Sequence, residues 1–100
     1  DGIYAVVDEM PEYSKGMSTL AKHIEFELRD TEDSTPGSVF ISFIVNTNGN
    51  LEHVKVVKSI NDTQDLLALK AIQSAPEKWT PGLSGGKPVN VKMTYPVKFQ

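Results

Sequence analysis

The centre of the chain reads VFISFIV at residues 39–45, NG at 48–49 and VKVV at 54–57. Apolar, β-branched and aromatic side chains fill the first run, which is typical of a buried strand. Asn48 and Gly49 both tolerate a positive φ, as a tight hairpin turn requires. The sequence therefore predicts an antiparallel β-hairpin over residues 38–58.

Two more elements are predicted after the hairpin. A helix is predicted over residues 64–75, where either Thr63 or Asp65 is suited to cap the first turn. Its apolar residues recur at helical spacing and are Leu66, Leu69, Ile72 and Ala75. Residues 88–99 alternate apolar and polar side chains, which predicts a strand with one buried and one solvated face. The loop between them contains a predicted structural motif, consisting of Trp79, Pro81 and Gly82.

The segment before the hairpin predicts an arm and a first helix. Residues 1–16 are interpreted as an extended arm, because Pro11 biases Met10 away from helix. Residues 17–29 are predicted to be helical, since their apolar residues share one face. Those residues are Met17, Leu20, Ala21, Ile24 and Leu28. The acidic, proline-containing stretch over residues 30–37 predicts a loop.

These elements together predict a single α+β domain over residues 1–100. We expect a three-stranded antiparallel sheet in the order 2-1-3, with two helices packed on one face. This order places the last strand at an edge of the sheet. Pro96 supports the placement, because proline has no backbone N–H to donate to a ladder.

Composition argues against several classes of protein. The chain has no cysteine and a formal net charge of −3, so neither thiol chemistry nor phosphate-backbone binding is favoured. His23 and His53 lack the spacing of metal ligands, and the glycine-rich residues 82–87 predict a turn. The acidic residues Asp30, Glu32 and Asp33 indicate a solvated loop. We therefore predict no catalytic residues, metal, cofactor or nucleic-acid partner, and we interpret the chain as a non-enzyme.

Four segments in this order resemble the TonB C-terminal domain family, particularly its Bacteroidetes form. They are the hairpin described above, DLLALKA at 65–71, KWTPG at 78–82 leading to GKPVNV at 86–91, and YPVKF at 95–99. The arm segment MPEY at 10–13 is also similar to the family's proline-aromatic arm. The chain differs from the family at Ser14, where a second proline is usual, and at Arg29-Asp30, which replace a Tyr-Pro.

The resemblance implies a periplasmic domain of a protein anchored in the inner membrane. Such a domain couples a proton-driven inner-membrane motor, through residues N-terminal to it, to TonB-dependent outer-membrane receptors. The resemblance also allows an alternative interpretation, in which the domain is fused to a membrane-bound sensor or peptidase that signals. A receptor peptide is the implied partner, and it pairs with the last strand.

An edge strand also predicts this mode of binding from backbone chemistry alone, because its free N–H and C=O groups are a template for strand addition. The predicted partner-binding residues lie upstream of Pro96, with two more in the arm. They are Val89, Asn90, Val91, Lys92, Met93, Thr94, Tyr95, Pro11 and Tyr13. On this basis Val91→Pro should abolish peptide binding while preserving most of the fold. Phe40, Ile44 and Val57 share the face opposite the helices, which is either covered by the arm or used in a homodimer.

Overall fold

The computed structural model describes residues 2–29, 31 and 35–99 of the chain. The strands are β1 (Ile3–Tyr4), β2 (Glu12–Tyr13), β3 (Gly37–Val45), β4 (Leu51–Lys58), β5 (Trp79–Thr80), β6 (Gly82–Ser84) and β7 (Lys87–Phe99). The helices are α1 (Met17–Glu27) and α2 (Asp62–Gln73). Asp30, Glu32 and Asp33, for which a solvated loop was predicted, lie outside the described residues.

The main sheet is mixed and has five strands. Its order is β1-β7-β3-β4, and β6 also pairs with the beginning of β7. The sequence predicted the antiparallel β4-β3-β7 arrangement, but the prediction of a wholly antiparallel three-stranded sheet is wrong. β1 adds to the outer side of β7 in a parallel orientation. Strands of two or three residues, such as β1 and β6, are too short to show an alternating pattern, which explains why they were missed.

The core lies between the helices and one face of the sheet. β3 and β7 pair along nine consecutive residues, from Gly37 opposite Phe99 to Val45 opposite Val91. Their odd-numbered side chains point toward the helices, where period-two alternation places them together. Buried core residues from both helices pack against this face, and they are Leu20, Ile24, Ala68, Ala71 and Ile72. The apolar residues of the period-two pattern in the last strand therefore lie on the face of the sheet that α1 and α2 cover.

Trp79 joins the arm to the hairpin. Its indole ring packs edge-on against Phe43 at 5.2 Å between centroids and against Tyr13 at 6.0 Å. Its backbone N–H donates to the carbonyl of Gly49 at 2.9 Å, which fixes the hairpin turn over the β5 segment. Gly82 is buried nearby and Pro81 is half-buried. Residues 79–82, which we call the tryptophan segment, thus lie at the junction of β2, β3 and the predicted Asn48-Gly49 turn.

Helix α2 is capped by Asn61, and neither predicted cap residue has that role. The side-chain carbonyl of Asn61 accepts from the backbone N–H of Gln64 at 2.8 Å. Gln64 in turn accepts from the Asn61 side-chain amide at 2.8 Å. Asp65 instead accepts from the backbone N–H of Ile60 at 3.0 Å. The helix begins at Asp62, one turn earlier than Asp65 would allow, and the predicted cap is therefore corrected to Asn61.

We expect Asn61→Ala to destabilise the domain by about 1 kcal/mol, because the N–H of Gln64 loses its acceptor. Asn61→Asp is the matched control, since its carboxylate oxygen keeps the cap. Urea denaturation followed by far-ultraviolet circular dichroism measures both. Equal losses in the two variants would show that the cap does not stabilise α2.

Candidate functional site

The outer side of β7 is an incompletely paired sheet edge. On the inner side, β3 covers β7 from Val91 to Phe99. On the outer side, β1 covers only Asn90 and Val91. Among the described residues, no strand pairs with the outer side from Lys92 to Phe99. We call this stretch the open edge.

The ladder directs alternate backbone groups of β7 to the open edge. At the end of β3, the N–H of Asn46 donates to Asn50 at 2.9 Å, on the side of β4. The backbone N–H and C=O groups of successive residues point to opposite sides of a strand. Those of the odd-numbered residues of β3 therefore point to β7, where they bond to the N–H and C=O groups of odd-numbered residues. Even-numbered groups of β7 therefore point outward. Pro96 is even-numbered, so its missing N–H costs the β3 ladder nothing.

Of the residues that the structure describes, two have N–H groups that face outward with no strand opposite them, Thr94 and Lys98, because the parallel pairing of Tyr4 with Val91 already engages the N–H of Lys92. The even-numbered side chains there are exposed, whereas Val97 and Phe99 are buried. A strand added at this edge would form backbone hydrogen bonds with the even-numbered residues. The open edge therefore has the donors and acceptors that strand addition requires.

Helix α1 forms a groove with the open edge. One part of this groove is lined by Ala21, Ile24 and Glu25 of α1 and by Tyr95 of β7. A second depression is lined by Leu28 of α1 and Phe99 of β7, among others. We call these two depressions together the α1 groove. Every second side chain of an added strand would point toward this groove, whose apolar walls are bordered by the charged side chains of Glu25, Arg29 and Lys98.

The pKa of the Tyr95 phenol reflects burial and charge in the α1 groove. Burial raises the pKa of the Tyr95 phenol above its ordinary value, and the nearby Glu25 carboxylate raises it further. Both effects disfavour the phenolate, because burial removes water from the charge and Glu25 repels it. Tyr95 therefore remains a neutral hydrogen-bonding phenol at physiological pH.

We expect Glu25→Gln to lower the pKa of Tyr95 while leaving it raised by burial. Because the folded pKa exceeds the unfolded one, the folded state binds more protons above pH 10 and stability falls as pH rises through that range. Ultraviolet titration of phenolate formation, with Tyr95→Phe to assign the transition, measures the change. An unchanged Tyr95 transition in Glu25→Gln would show that this carboxylate does not act on the phenol.

In the free domain, the first half of the predicted binding segment is already paired with other strands of the chain. Val89 pairs with Gly82, Asn90 pairs with Ile3, and Val91 pairs with both Tyr4 and Val45. Val91 is fully buried, and its odd-numbered N–H belongs to the β3 ladder. Val91→Pro would therefore disrupt the fold, contrary to the sequence-based expectation. Lys92, Met93, Thr94 and Tyr95 remain at the open edge.

The arm residues proposed as partner contacts are also corrected. Pro11 is fully buried and Tyr13 is 3% exposed. The phenolic oxygen of Tyr13 accepts from the backbone N–H of Glu77 at 3.0 Å. Glu12 and Tyr13 pair with β5 and place the arm against the core. Pro11 and Tyr13 therefore pack into the core, and neither side chain is exposed to a partner in this structure.

Several groove residues were missed as binding residues. Ala21, Ile24 and Leu28 were recognised only as the apolar face of a helix, and Glu25 had no distinguishing signal. Periodicity shows which face of a helix is buried but not which strand it lies beside. Pro96 was taken as the limit of the binding segment, whereas the structure leaves the edge open on both sides of it.

The face opposite the helices is partly covered by the arm. Ile44 is 7% exposed, and Ile3 lines the same depression beside it. Phe40 is half-buried, with the ammonium of Lys58 at 5.4 Å from its ring centroid. Val57 is 53% exposed. Of the two alternatives, arm or homodimer, the structure shows the arm at Ile44 and leaves Val57 uncovered within this chain.

Within the described ranges, no cluster of three or more His, Asp or Glu residues is placed to hold a metal ion. No helix in the part of the chain that the structure describes is long and apolar enough to cross a membrane.

Comparison with known proteins identifies related sequences. Residues 31–100 match the family model described as Gram-negative bacterial TonB protein C-terminal. The match includes β3, β4, α2 and the whole open edge, and it begins after the segment in which Ser14 and Arg29-Asp30 differ from the family. The chain is similar to the NMR solution structure of Helicobacter pylori TonB-CTD (residues 179-285), with 22% identity, 82% of each chain covered and a TM-score of 0.44. No curated protein matches the chain.

Proposed function

Because the chain belongs to the Gram-negative bacterial TonB C-terminal domain family, we propose that it is the periplasmic receptor-binding domain of a TonB-type energy transducer. In this proposal an extended peptide of a TonB-dependent outer-membrane receptor adds as a strand to the open edge. Residues N-terminal to the domain would provide the inner-membrane anchor and the contact with the proton-driven motor. The observation that carries the proposal is the unpaired outer side of β7 beyond Lys92.

The backbone of the open edge contributes only part of the binding free energy. A guest strand of this length forms about four to six backbone hydrogen bonds, each contributing about 0.5–1.5 kcal/mol net. Association costs at least about 4 kcal/mol, and micromolar binding requires about −8 kcal/mol. Hydrogen bonds alone do not reach this value. Burial of about 200 Å² of apolar guest surface in the α1 groove would add about 5 kcal/mol and bring the sum close to this value.

Force transmission also fits strand addition. When a guest strand is pulled along the direction of β7, its backbone hydrogen bonds bear the load together in shear. A complex of modest affinity can therefore resist force for a short time and still release. This property suits a domain that engages a receptor repeatedly.

The proposal is tested by mapping peptide binding on the ¹⁵N-labelled domain by NMR. The probes are synthetic ten-residue peptides with the sequences of extended, periplasm-facing segments of TonB-dependent receptors. We expect micromolar binding, with the largest amide shift changes at Lys92–Phe99 and along Ala21–Leu28. A scrambled peptide of the same composition is the control. Shift changes confined to α2 and β4, or no binding by any receptor peptide, would contradict the proposal.

A further inference from the structure

We infer that the peptide-binding edge extends back to Asn90 and that its first positions are occupied in the free domain by the chain's own residues. The inference rests on the proposed function in that the guest is taken to be an extended peptide. The occupying segment is Gly2–Val7, which contains β1 and which we call the strap. A guest that displaces the strap gains the edge at Asn90 and Val91 in addition to the open edge.

The strap is held weakly. It pairs with β7 at only two positions, Ile3 with Asn90 and Tyr4 with Val91. Ile3 is 60% exposed, Tyr4 is 40% exposed and Val6 is 84% exposed. A two-residue strand with exposed side chains has few contacts to lose on leaving the sheet, and such segments open at low free-energy cost.

A firm attachment follows the strap and forms its hinge. Glu9 and Leu83 exchange two backbone hydrogen bonds of 3.1 and 2.9 Å. The carboxylate of Asp8 accepts from the backbone N–H of Gly85 at 2.8 Å. Pro11, two residues beyond Glu9, is fully buried. Because the chain is fixed from Asp8 onward, the strap can leave β7 without disturbing β2 or the core.

The place that the strap vacates is suited to an apolar guest side chain. Ile3 lies in a depression whose other lining residues include Ile44, Ser42 and Lys92. Ile44 is only 7% exposed with Ile3 beside it, so removal of Ile3 would expose its apolar surface. A guest that places an apolar side chain at the same position restores this burial. The strap thus indicates the kind of residue that the extended site accepts.

The inference predicts competition between strap and guest. If the strap occupies the edge in most molecules, the apparent affinity for a peptide that needs Asn90 is reduced by the fraction of molecules in which the edge is free. We expect opening the strap to tighten binding about ten-fold and locking it to weaken binding by at least as much.

The first test locks the strap with the double variant Ile3→Cys/Asn90→Cys. Paired strand residues lie within the Cα separation that a disulfide spans, and the chain has no other cysteine. Asn90→Cys alone is the control, because the side chain of Asn90 also accepts from the N–H of Thr47 at 3.1 Å. The probes are a labelled synthetic strap peptide, residues 2–8, and the receptor peptides used above.

The second test opens the strap with Tyr4→Pro, whose ring removes an N–H from β1, and Tyr4→Ala is its control. We expect the strap peptide to bind Tyr4→Pro in trans at Asn90–Lys92, and to bind the oxidised lock at least ten-fold more weakly than the reduced form. NMR spectra of β3 and α2 verify that each variant remains folded.

The outcomes separate this inference from the proposed function. If receptor peptides bind the oxidised and the reduced forms of the Ile3→Cys/Asn90→Cys variant with equal affinity, the inference is overturned and the proposed function is unaffected. Conversely, a strap peptide that responds to the lock supports the inference even if no receptor peptide binds, in which case the proposed function fails. Failure of both kinds of peptide to bind Tyr4→Pro would overturn the inference.

Discussion

Replacing Thr94 by proline is expected to weaken receptor-peptide binding by at least ~10-fold while the domain remains folded. Thr94 lies on β7 opposite Ser42, at an even-numbered position whose N–H faces the open edge. Proline removes that donor and places its ring where the guest backbone would approach. The β3 ladder does not use this N–H, so the sheet tolerates the change. Calorimetry with a receptor peptide measures the affinity.

Two control variants isolate the backbone effect at this position. Thr94→Ala removes the side chain and keeps the N–H, and we expect nearly unchanged binding. Met93→Pro is one residue earlier, where the N–H belongs to the ladder with Phe43, and we expect it to unfold the domain. Full peptide affinity in a folded Thr94→Pro domain would contradict the assignment of outward-facing groups on β7.

Replacing Gly49 by alanine is expected to destabilise the domain by about 3 kcal/mol or more, because two penalties add. The φ of Gly49 is +82°, a conformation that side chains with a Cβ rarely adopt. An added Cβ would also collide with the carbonyl oxygen of Trp79. A backbone oxygen cannot turn aside as a flexible side chain can, so the hairpin turn and the tryptophan segment must separate.

Gly85→Ala is the matched control for Gly49→Ala. Gly85 also has a positive φ, +59°, but a Cβ added there meets nothing within 4 Å. We expect a loss of about 1–2 kcal/mol from backbone conformation alone. Urea denaturation monitored by the fluorescence of Trp79 measures both variants. Equal destabilisation of the two would show that the Gly49–Trp79 contact adds nothing to the cost of a positive φ.

The long elements were predictable because their side-chain patterns repeat often enough to define a face. β3 and β7 each contain several apolar positions at period two, and α1 contains Leu20 and Ile24 at helical spacing. The shorter features depend on tertiary contacts that no local pattern contains. β1 has two residues, and it is a strand only because Asn90 and Val91 lie beside it. The cap is an exception, because Asn61 followed three residues later by Gln64 is a local capping pattern, and Thr63 and Asp65 were chosen over it.

The candidate site could be predicted only in part, because some of its features depend on tertiary contacts. Pro96 suggested an edge, because an edge is where a missing N–H is tolerated; β1 in fact lies outside β7 at Asn90 and Val91, and over residues 2–29, 31 and 35–99 no strand pairs with that side at Pro96. The extent of the open edge could not be predicted, since it depends on where the arm crosses β7. Tyr13 illustrates the difficulty: an aromatic residue in a polar arm suggested a partner contact, yet it packs against Trp79 and is buried. The α1 groove could not be predicted from the sequence either, because it depends on where α1 lies relative to β7.

Hydrogen exchange of the backbone amides of Thr94 and Lys98 measures whether a guest peptide pairs with the outer side of β7. In the free domain we expect both amides to exchange rapidly, because their N–H groups face solvent at the open edge, while Met93 and Val97 are protected by β3. A receptor peptide at saturating concentration should slow exchange at Thr94 and Lys98 by at least about ten-fold. Unchanged exchange at both amides in the fully bound domain would show that the peptide does not add as a strand to β7.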